Sequence, residues 1–434
     1  MTVYLFRRLP IGRAVLWSIL GAYLLLPVGA ELDLPFVPPL GKVSIPNLAI
    51  FFCCRFILGR RIEFFGKASI VSWLLLIYIA NPFVTASLNL DPTVSGGKFI
   101  QGMTYYDALS SVINQFIFIV PFMLGRQFLN SATDHEDVLR VLAVAGLFYS
   151  LPMLFEVRMS PQLHTWIYGY FPHSFLQQMR GNGFRPVVFL GHGLLVAFFT
   201  MTSLVAIAAL TKLNLQVRKF SAGQVFIYLG FVLILCKSLA SLIYGATLSL
   251  VVRFLSPVNQ MRIAIILVFI AFSYPVMRVV NIVPISDIAD MANSYSSERS
   301  QSFSFRIDNE EMLLDRLDER SLFGWGSWGR GRVYNPESGE DITVTDGRWI
   351  IVMSQYGYFG YIAEFGLLVF PIIACFKRFK YLSDNRDRII LSALCLILSI
   401  NVFDLLINAS NTPFTWLLAG ALLGRANQLI YKTE

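Results

Sequence analysis

The sequence predicts an all-α, polytopic integral membrane protein. Of its 434 residues, 56% are apolar and only 14% are charged, and the mean hydropathy is +0.61. A water-soluble domain carries about 25% charged residues, so this composition excludes that class. The apolar residues also form long runs that are bounded by charge or by Gly, Pro and Asn, as membrane-spanning helices are.

About twelve of these runs are long enough to cross a hydrocarbon core, which is about 30 Å thick and needs roughly 20 helical residues. We predict spans near residues 12–29, 36–58, 68–88, 108–128, 138–156, 186–210, 222–237, 239–255, 262–282, 349–375, 388–407 and 412–429. Residues 1–434 then form a single membrane domain, in which residues 283–347 are one large loop outside the bilayer.

The basic residues predict the orientation of these spans. Lys and Arg concentrate in every second connection, which the positive-inside rule assigns to the cytoplasm together with both termini. Two connections on the opposite side, residues 157–185 and 283–347, contain arginines against this rule. We therefore expect function there. The basic residues are dispersed among the spans, which argues against a nucleic-acid partner.

The large loop and its far end are rich in arginine, which predicts binding of an anionic substrate at a membrane surface. These residues are Arg299, Arg306, Arg316, Arg320, Arg330, Arg332 and Arg348. The stretch SERSQSFS is polar and is expected to be irregular. The next stretch, FRIDNEEMLLDRLDER, predicts a short amphipathic helix that starts near Arg306, with Asp308 and Glu311 at capping-box spacing.

The first two candidate site patterns flank the middle of the chain. Arg180 and Arg185 bracket glycines just before a span, where two guanidinium forks can bind phosphate oxygens. Anchoring to lipid headgroups is the other interpretation. Lys237-Ser238 lies at a turn between two short spans, where the lysine can face the same pocket or simply snorkel to the interface. His192 is expected to be a hydrogen-bonded packing residue rather than a base.

The other two patterns belong to the large loop. Arg306 precedes a Gly-Trp-Gly turn at residues 324–326, although a local ion pair with Glu310 would also explain the arginine. Asp346 and Arg348 stand at the mouth of the tenth predicted span. A carboxylate beside arginines can act as a general base or as a structural ion-pair partner.

These four patterns, in this order, resemble those of the O-antigen ligase and polymerase superfamily of bacterial envelope glycan assembly. The resemblance covers the region from Arg180 to Leu368 and depends on the joint order of sparse motifs. They are Arg180, Gly183 and Arg185; Lys237 and Ser238; Arg306; Gly324 and Gly326; and Gly357 and Gly360. The family usually has a histidine before the last glycine pair, where this chain offers Asp346. That departure favours the polymerase branch over the ligase branch.

The resemblance implies polymerisation of undecaprenyl-pyrophosphate-linked repeat units into O-antigen or exopolysaccharide, at the periplasmic face of the bacterial inner membrane. The chain would be a glycosyltransferase without metal or cofactor. Asp346 and Arg306 would be catalytic, while Arg180, Arg185, Lys237 and Arg348 would bind pyrophosphate or glycan. Its partners would be the lipid-linked glycan, membrane lipid and a protein that regulates chain length.

The sequence leaves two alternatives open. One is a ligase that transfers finished glycan onto the lipid A core. The other is a lipid-linked glycan flippase or transporter, because Arg278, Glu364 and Asp404 fall inside predicted spans, where ionisable residues are functional candidates. Structural pairing within the bundle would also explain Glu364 and Asp404. The sequence does not identify the sugars, the linkage or the oligomeric state.

Overall fold

The computed structural model describes residues 1–34, 37–65, 69–180, 183–280, 282 and 297–431. It is mainly helical. The helices run over Thr2–Arg8, Ile11–Leu25, Ser44–Phe52, Ile70–Ser87, Tyr105–Phe128, Ala132–Met159, Leu163–Tyr168, Gly193–Lys212, Ala222–Leu235, Leu239–Phe254, Pro257–Val279, Ser297–Asp318, Arg348–Arg378, Asn385–Asp404 and Pro413–Tyr431. A π-helical turn, Cys53–Ile57, extends the third helix.

Every predicted span falls on one of these helices. Within the described part of the chain, six helices are long and apolar enough to cross a membrane, and four shorter helices are also apolar. The six run over Ile70–Ser87, Tyr105–Phe128, Ala132–Met159, Gly193–Lys212, Pro257–Val279 and Arg348–Tyr381. The protein is therefore a helical, membrane-embedded protein, while the count of twelve spans stays a prediction.

Short antiparallel hairpins occupy three of the connections. The strand pairs are Leu32–Leu34 with Val37–Leu40, Thr93–Ser95 with Lys98–Ile100, and Gln216–Val217 with Phe220–Ser221. The first hairpin occupies the start of the span predicted at 36–58, so the helix there begins only at Ser44. Pro38 and Pro39 explain the shift, because proline lacks the N–H that a helix interior needs.

Close backbone contact builds the centre of the bundle. The helix Tyr105–Phe128 packs along Pro413–Tyr431, and both have glycine at the crossing. A Cβ atom on Gly420 would lie 1.9 Å from the Phe122 carbonyl oxygen, and one on Gly125 would lie 2.1 Å from the Leu417 carbonyl oxygen. Such small residues let membrane helices approach closely. This crossing fixes the position of the loop that precedes the last helix.

The tenth predicted span is broken. Gly357 has φ 66° and ψ −166°, a combination that essentially only glycine adopts, so Arg348–Arg378 consists of two helices joined at a sharp bend. The loop pairs with the opened backbone there, because Trp325 N–H donates to the Ser354 carbonyl and Tyr358 N–H donates to the Ser321 carbonyl, each at 2.8 Å. The membrane helix proper therefore starts after Gly357.

The predicted helix of the large loop is present, but it is longer than expected. It covers Ser297–Asp318 and so includes the stretch SERSQSFS, whose prediction as irregular is wrong. For the same reason Asp308 and Glu311 do not cap the helix. Leu313 and Leu317 are almost completely buried, as the amphipathic pattern predicts.

Several loop arginines hold the loop in place. Arg330, 1% exposed, donates to the carbonyls of Gln101 and Asp91. Arg316 stacks 3.7 Å from the ring centroid of Trp325. Arg320 lies over the same ring, and Arg332 pairs with Asp341. These four arginines thus have structural partners, and anion binding by them stays a prediction. The side chain of Arg299 lies outside the described residues.

Candidate functional site

A cavity of about 400 Å³ opens between the loop helix and the membrane helices. Apolar side chains dominate its lining, with Ile270, Met277 and Ile407 among them. Arg306, Glu310 and Asp346 supply charged groups to the same cavity; its complete lining is Ile270, Tyr274, Met277, Arg306, Ile307, Glu310, Val344, Asp346, Gly347, Ile350, Phe403, Leu406 and Ile407. The cavity thus combines an apolar surface with a charged edge.

The two residues expected to be catalytic meet at this cavity. Arg306 Nε lies 3.1 Å from Asp346 Oδ2, and both side chains are about one-third exposed. The partial exposure leaves the pair accessible to a ligand in the cavity. The ion pair engages Nε, and the guanidinium fork carries two further nitrogens that can meet phosphate oxygens. The orienting partner of Asp346 is therefore Arg306.

A buried amide fixes the approach of Asp346 to Arg306. Asn309, one turn along the loop helix from Arg306, is only 2% exposed. Its Oδ1 accepts from the Val344 N–H, and its Nδ2 donates to the Phe305 carbonyl, each at 2.6 Å. The chain two residues before Asp346 is therefore tied to the loop helix. Nothing in the sequence marks this role, since Asn309 is one more polar residue in a polar loop.

Glu310 is a second carboxylate of the cavity, and its spacing in the sequence suggested only a local pairing with Arg306. That local pairing is wrong, because Glu310 instead lies 3.5 Å from Arg278 Nε and accepts a 3.1 Å hydrogen bond from the Tyr274 hydroxyl. Burial raises the pKa of the Glu310 carboxyl, while the Tyr274 hydrogen bond and the Arg278 charge oppose that rise. Its partners come from a distant helix, so spacing in the chain could not identify them.

Arg348 lies next to the cavity but takes a different partner. Its Nε and Nη2 donate to the two carboxylate oxygens of Glu364 at 2.8 and 2.9 Å, and Asn411 Nδ2 donates to the same carboxylate at 3.0 Å. Glu364 is completely buried. The expected pairing of Glu364 within the bundle is therefore confirmed. Asp404 likewise accepts hydrogen bonds from Asn408.

The other three candidate residues form a separate basic group. Arg185 is buried and donates from Nε and Nη2 to the carbonyl of Lys237, whose Nζ in turn donates to the carbonyl of Arg180. Lys237 has a φ of 50°, in the left-handed region, and forms the turn between two helices. Its carbonyl thereby meets Arg185. Within the described residues, none of these three cations has a carboxylate partner. We call them the basic cluster.

Two histidines lie beside the basic cluster. His192 accepts a hydrogen bond from the Leu194 N–H at the start of its helix, and its ring packs edge-on against His173. Burial is the main reason that the pKa of His192 falls to about 4, and the neighbouring His173 and the two arginines act in the same direction. The cations of the basic cluster thus help to keep His192 neutral.

The basic cluster and the Arg306–Asp346 pair are separate groups in the structure. No hydrogen bond or ion pair joins the cluster to Arg306 or Asp346 in the part of the chain that the structure describes. Their convergence on one ligand stays a prediction.

Comparison with known proteins assigns neither a family nor a function to this chain. No protein-family model matches the chain, and no curated protein matches it. A function for this chain is therefore inferred from the geometry of its site.

Proposed function

We propose that this protein is a membrane glycosyltransferase that polymerises undecaprenyl-pyrophosphate-linked repeat units into O-antigen or exopolysaccharide. One observation supports this more than any other: an Arg–Asp pair stands at the edge of a largely apolar cavity of about 400 Å³. A polyprenyl pyrophosphate has the same two-part chemistry. Its chain is apolar and its head is anionic.

The side chains present can support each part of the transfer. A hydroxyl of the acceptor glycan attacks the anomeric carbon of the donor, and the bond from that carbon to the pyrophosphate oxygen breaks. The hydroxyl proton passes to Asp346. The bonding electrons leave with undecaprenyl pyrophosphate, and Arg306 stabilises the developing charge. Preorganised arginine donors can do this without a metal.

The basic cluster supports a second contact with phosphate. A polymerase holds two lipid-linked glycans at once, and each carries a pyrophosphate. Arg306, about one-third exposed, and the basic cluster supply cationic side chains at two separate places. Arg180, Arg185 and Lys237 accordingly bind pyrophosphate in this proposal, as an unpaired cationic group favours an anion. The enzyme would work at the periplasmic face of the bacterial inner membrane.

Transport of a lipid-linked glycan is the second candidate. The observation in its favour is the buried Arg348–Glu364 pair, since ionisable groups within a membrane protein often serve transport. A proton-coupled transporter should lose activity on Glu364→Gln and tolerate Arg306→Ala. The glycosyltransferase proposal predicts the reverse order of sensitivity.

The test is an extraction of lipid-linked glycans from cells that lack the protein and are complemented with wild type or variants. We expect wild type to restore long chains, and Arg306→Ala to leave single repeat units. Arg332→Ala is the matched control, because it removes an Arg–Asp surface pair of the same loop away from the cavity. Long chains in cells with Arg306→Ala, or in cells lacking the protein, would refute the proposal.

A further inference from the structure

A second cavity has a more polar lining than the cavity at Arg306. It measures about 420 Å³ and is bordered by the connection after the second helix and by the helix Tyr105–Phe128. Lys42, Ser44, Ser111 and Asn114 are among its lining residues. We call it the polar recess. Its size falls within the roughly 300–1,000 Å³ of small-molecule sites.

The polar recess adjoins an inner chamber of about 140 Å³. Asn114 and Phe118 line both spaces. The chamber is otherwise lined by Arg348, Asn411 and the aromatic rings of Tyr356 and Trp416, together with Tyr78, Gln115 and Gln355. The Oδ1 atom of Asn411 is buried there and has no hydrogen-bond partner among the described residues. An unsatisfied buried acceptor of this kind suits a ligand hydroxyl.

The sequence of the helix Tyr105–Phe128 agrees with a polar ligand at this place. Ser111, Asn114, Gln115 and Phe118 follow the spacing of one helical face within an otherwise apolar membrane helix. Asn114 is exposed. An exposed amide in a membrane helix costs free energy where it faces lipid, because lipid offers it no hydrogen bonds. In a polar cavity the same amide can form hydrogen bonds. The recess explains the position of these residues.

Residues that line the recess and the chamber are connected to chain segments near both parts of the proposed site. On one side, Lys42 Nζ donates to the carbonyl of Phe189, four residues after Arg185, at 2.6 Å. On the other side, Arg348 lines the chamber, while its neighbours Asp346 and Ile350 line the apolar cavity. The first residues of the helix Arg348–Arg378 thus separate the apolar cavity from the inner chamber.

We propose that the polar recess and the inner chamber bind the oligosaccharide of the acceptor, an inference that depends on the proposed function. Hydroxyls and amides supply donors and acceptors for sugar hydroxyls, and Tyr356 and Trp416 supply rings for the apolar face of a sugar. The donor lipid occupies the apolar cavity. The acceptor therefore approaches Asp346 past the start of the helix Arg348–Arg378.

The experiment measures binding of the free oligosaccharide to the purified full-length protein. The probe is prepared from lipid-linked single repeats of cells that lack the protein, by mild acid release and fluorescent labelling. Asn114→Leu and Ser111→Val remove polar groups of the recess. Asn385→Leu makes the same replacement as Asn114→Leu at an exposed residue at the cytoplasmic end of the predicted topology.

We expect the Kd to rise at least tenfold in Asn114→Leu and in Ser111→Val, and to stay unchanged in Asn385→Leu. Wild-type affinity in both recess variants, or no binding to wild type, would overturn the inference while leaving the polymerase open. Failure of the proposed function is distinguishable, because cells that carry Arg306→Ala would then still form long chains.

Discussion

Arg348 holds Glu364 through two hydrogen bonds of 2.8 and 2.9 Å although 16 residues separate them in the chain. In a straight helix, which rises about 1.5 Å per residue, the two residues would be about 24 Å apart. The break at Gly357 brings them together. The pair therefore positions the short helix that begins at Arg348, and with it the adjacent Asp346.

Gly357→Ala should disrupt this arrangement. The backbone of Gly357 is in a region that costs other residues about 1–3 kcal/mol, and a Cβ atom would lie 2.3 Å from the carbonyl carbon and oxygen of Leu322. We expect a lower melting temperature and loss of polymer, measured on the purified protein and on extracted glycans.

Gly230→Ala is the control for that change. Gly230 lies within the helix Ala222–Leu235, and a Cβ atom there meets nothing within 4 Å. This variant should melt at or slightly above the wild-type temperature, because alanine favours helices over glycine by about 1 kcal/mol. Equal melting temperatures for the two variants would contradict the role assigned to the bend.

Asn309→Ala should lower kcat without a comparable change in KM for the lipid-linked repeat. The variant removes the acceptor for the Val344 N–H and so frees the chain that carries Asp346. Asn309→Asp keeps an acceptor for Val344 and should recover part of the rate. Equal rates in the two variants would show that this hydrogen bond does not position Asp346.

Arg278 and Glu310 should show strong energetic coupling. Arg278 is buried and Glu310 is 14% exposed, and removal of one partner of a buried ion pair costs about 3–5 kcal/mol. We expect Arg278→Met to lower the melting temperature markedly. The double variant Arg278→Met/Glu310→Met should recover much of the loss, since it leaves no unpaired charge. Additive losses in the double variant would mean that the two groups do not act as a pair.

Lys42 should react with acylating reagents in an unusual pH range. Burial disfavours the charged ammonium and lowers the pKa of Lys42 to about 7. Its acetylation rate should therefore rise as the pH passes through that value and level off about one pH unit above it, where the neutral amine is dominant. An ordinary lysine, with a pKa near 10.4, should continue to gain reactivity up to about pH 10. Quantitative mass spectrometry after brief acetic anhydride treatment distinguishes the two profiles.

The helical segments could be predicted from the sequence because long apolar runs indicate membrane-spanning helices. Their starts were less accurate where proline precedes the helix, as at Pro186, since the helix begins only at Gly193. The bend at Gly357 was not predicted. A glycine within an apolar run is tolerated in membrane helices, and only the close approach of Leu322 and Phe323 shows why it is needed.

The candidate site was predicted in part. Separate sequence patterns point to Arg306 and to Asp346, and the two lie together in the structure. Arg180, Arg185 and Lys237 also meet. The sequence could not separate these residues from the arginines that hold the loop. That distinction depends on contacts with residues such as Trp325, which spacing along the chain does not reveal.

The most direct test of the proposed mechanism uses purified protein in lipid nanodiscs, supplied with extracted single-repeat lipid and EDTA. We predict that wild type forms chains of increasing length and releases undecaprenyl pyrophosphate. Arg332→Ala should match wild type, whereas Asp346→Asn should be slower by about 10²-fold or more, the usual contribution of general-base catalysis. Chain growth by Asp346→Asn at the wild-type rate would contradict the role of the Arg306–Asp346 pair.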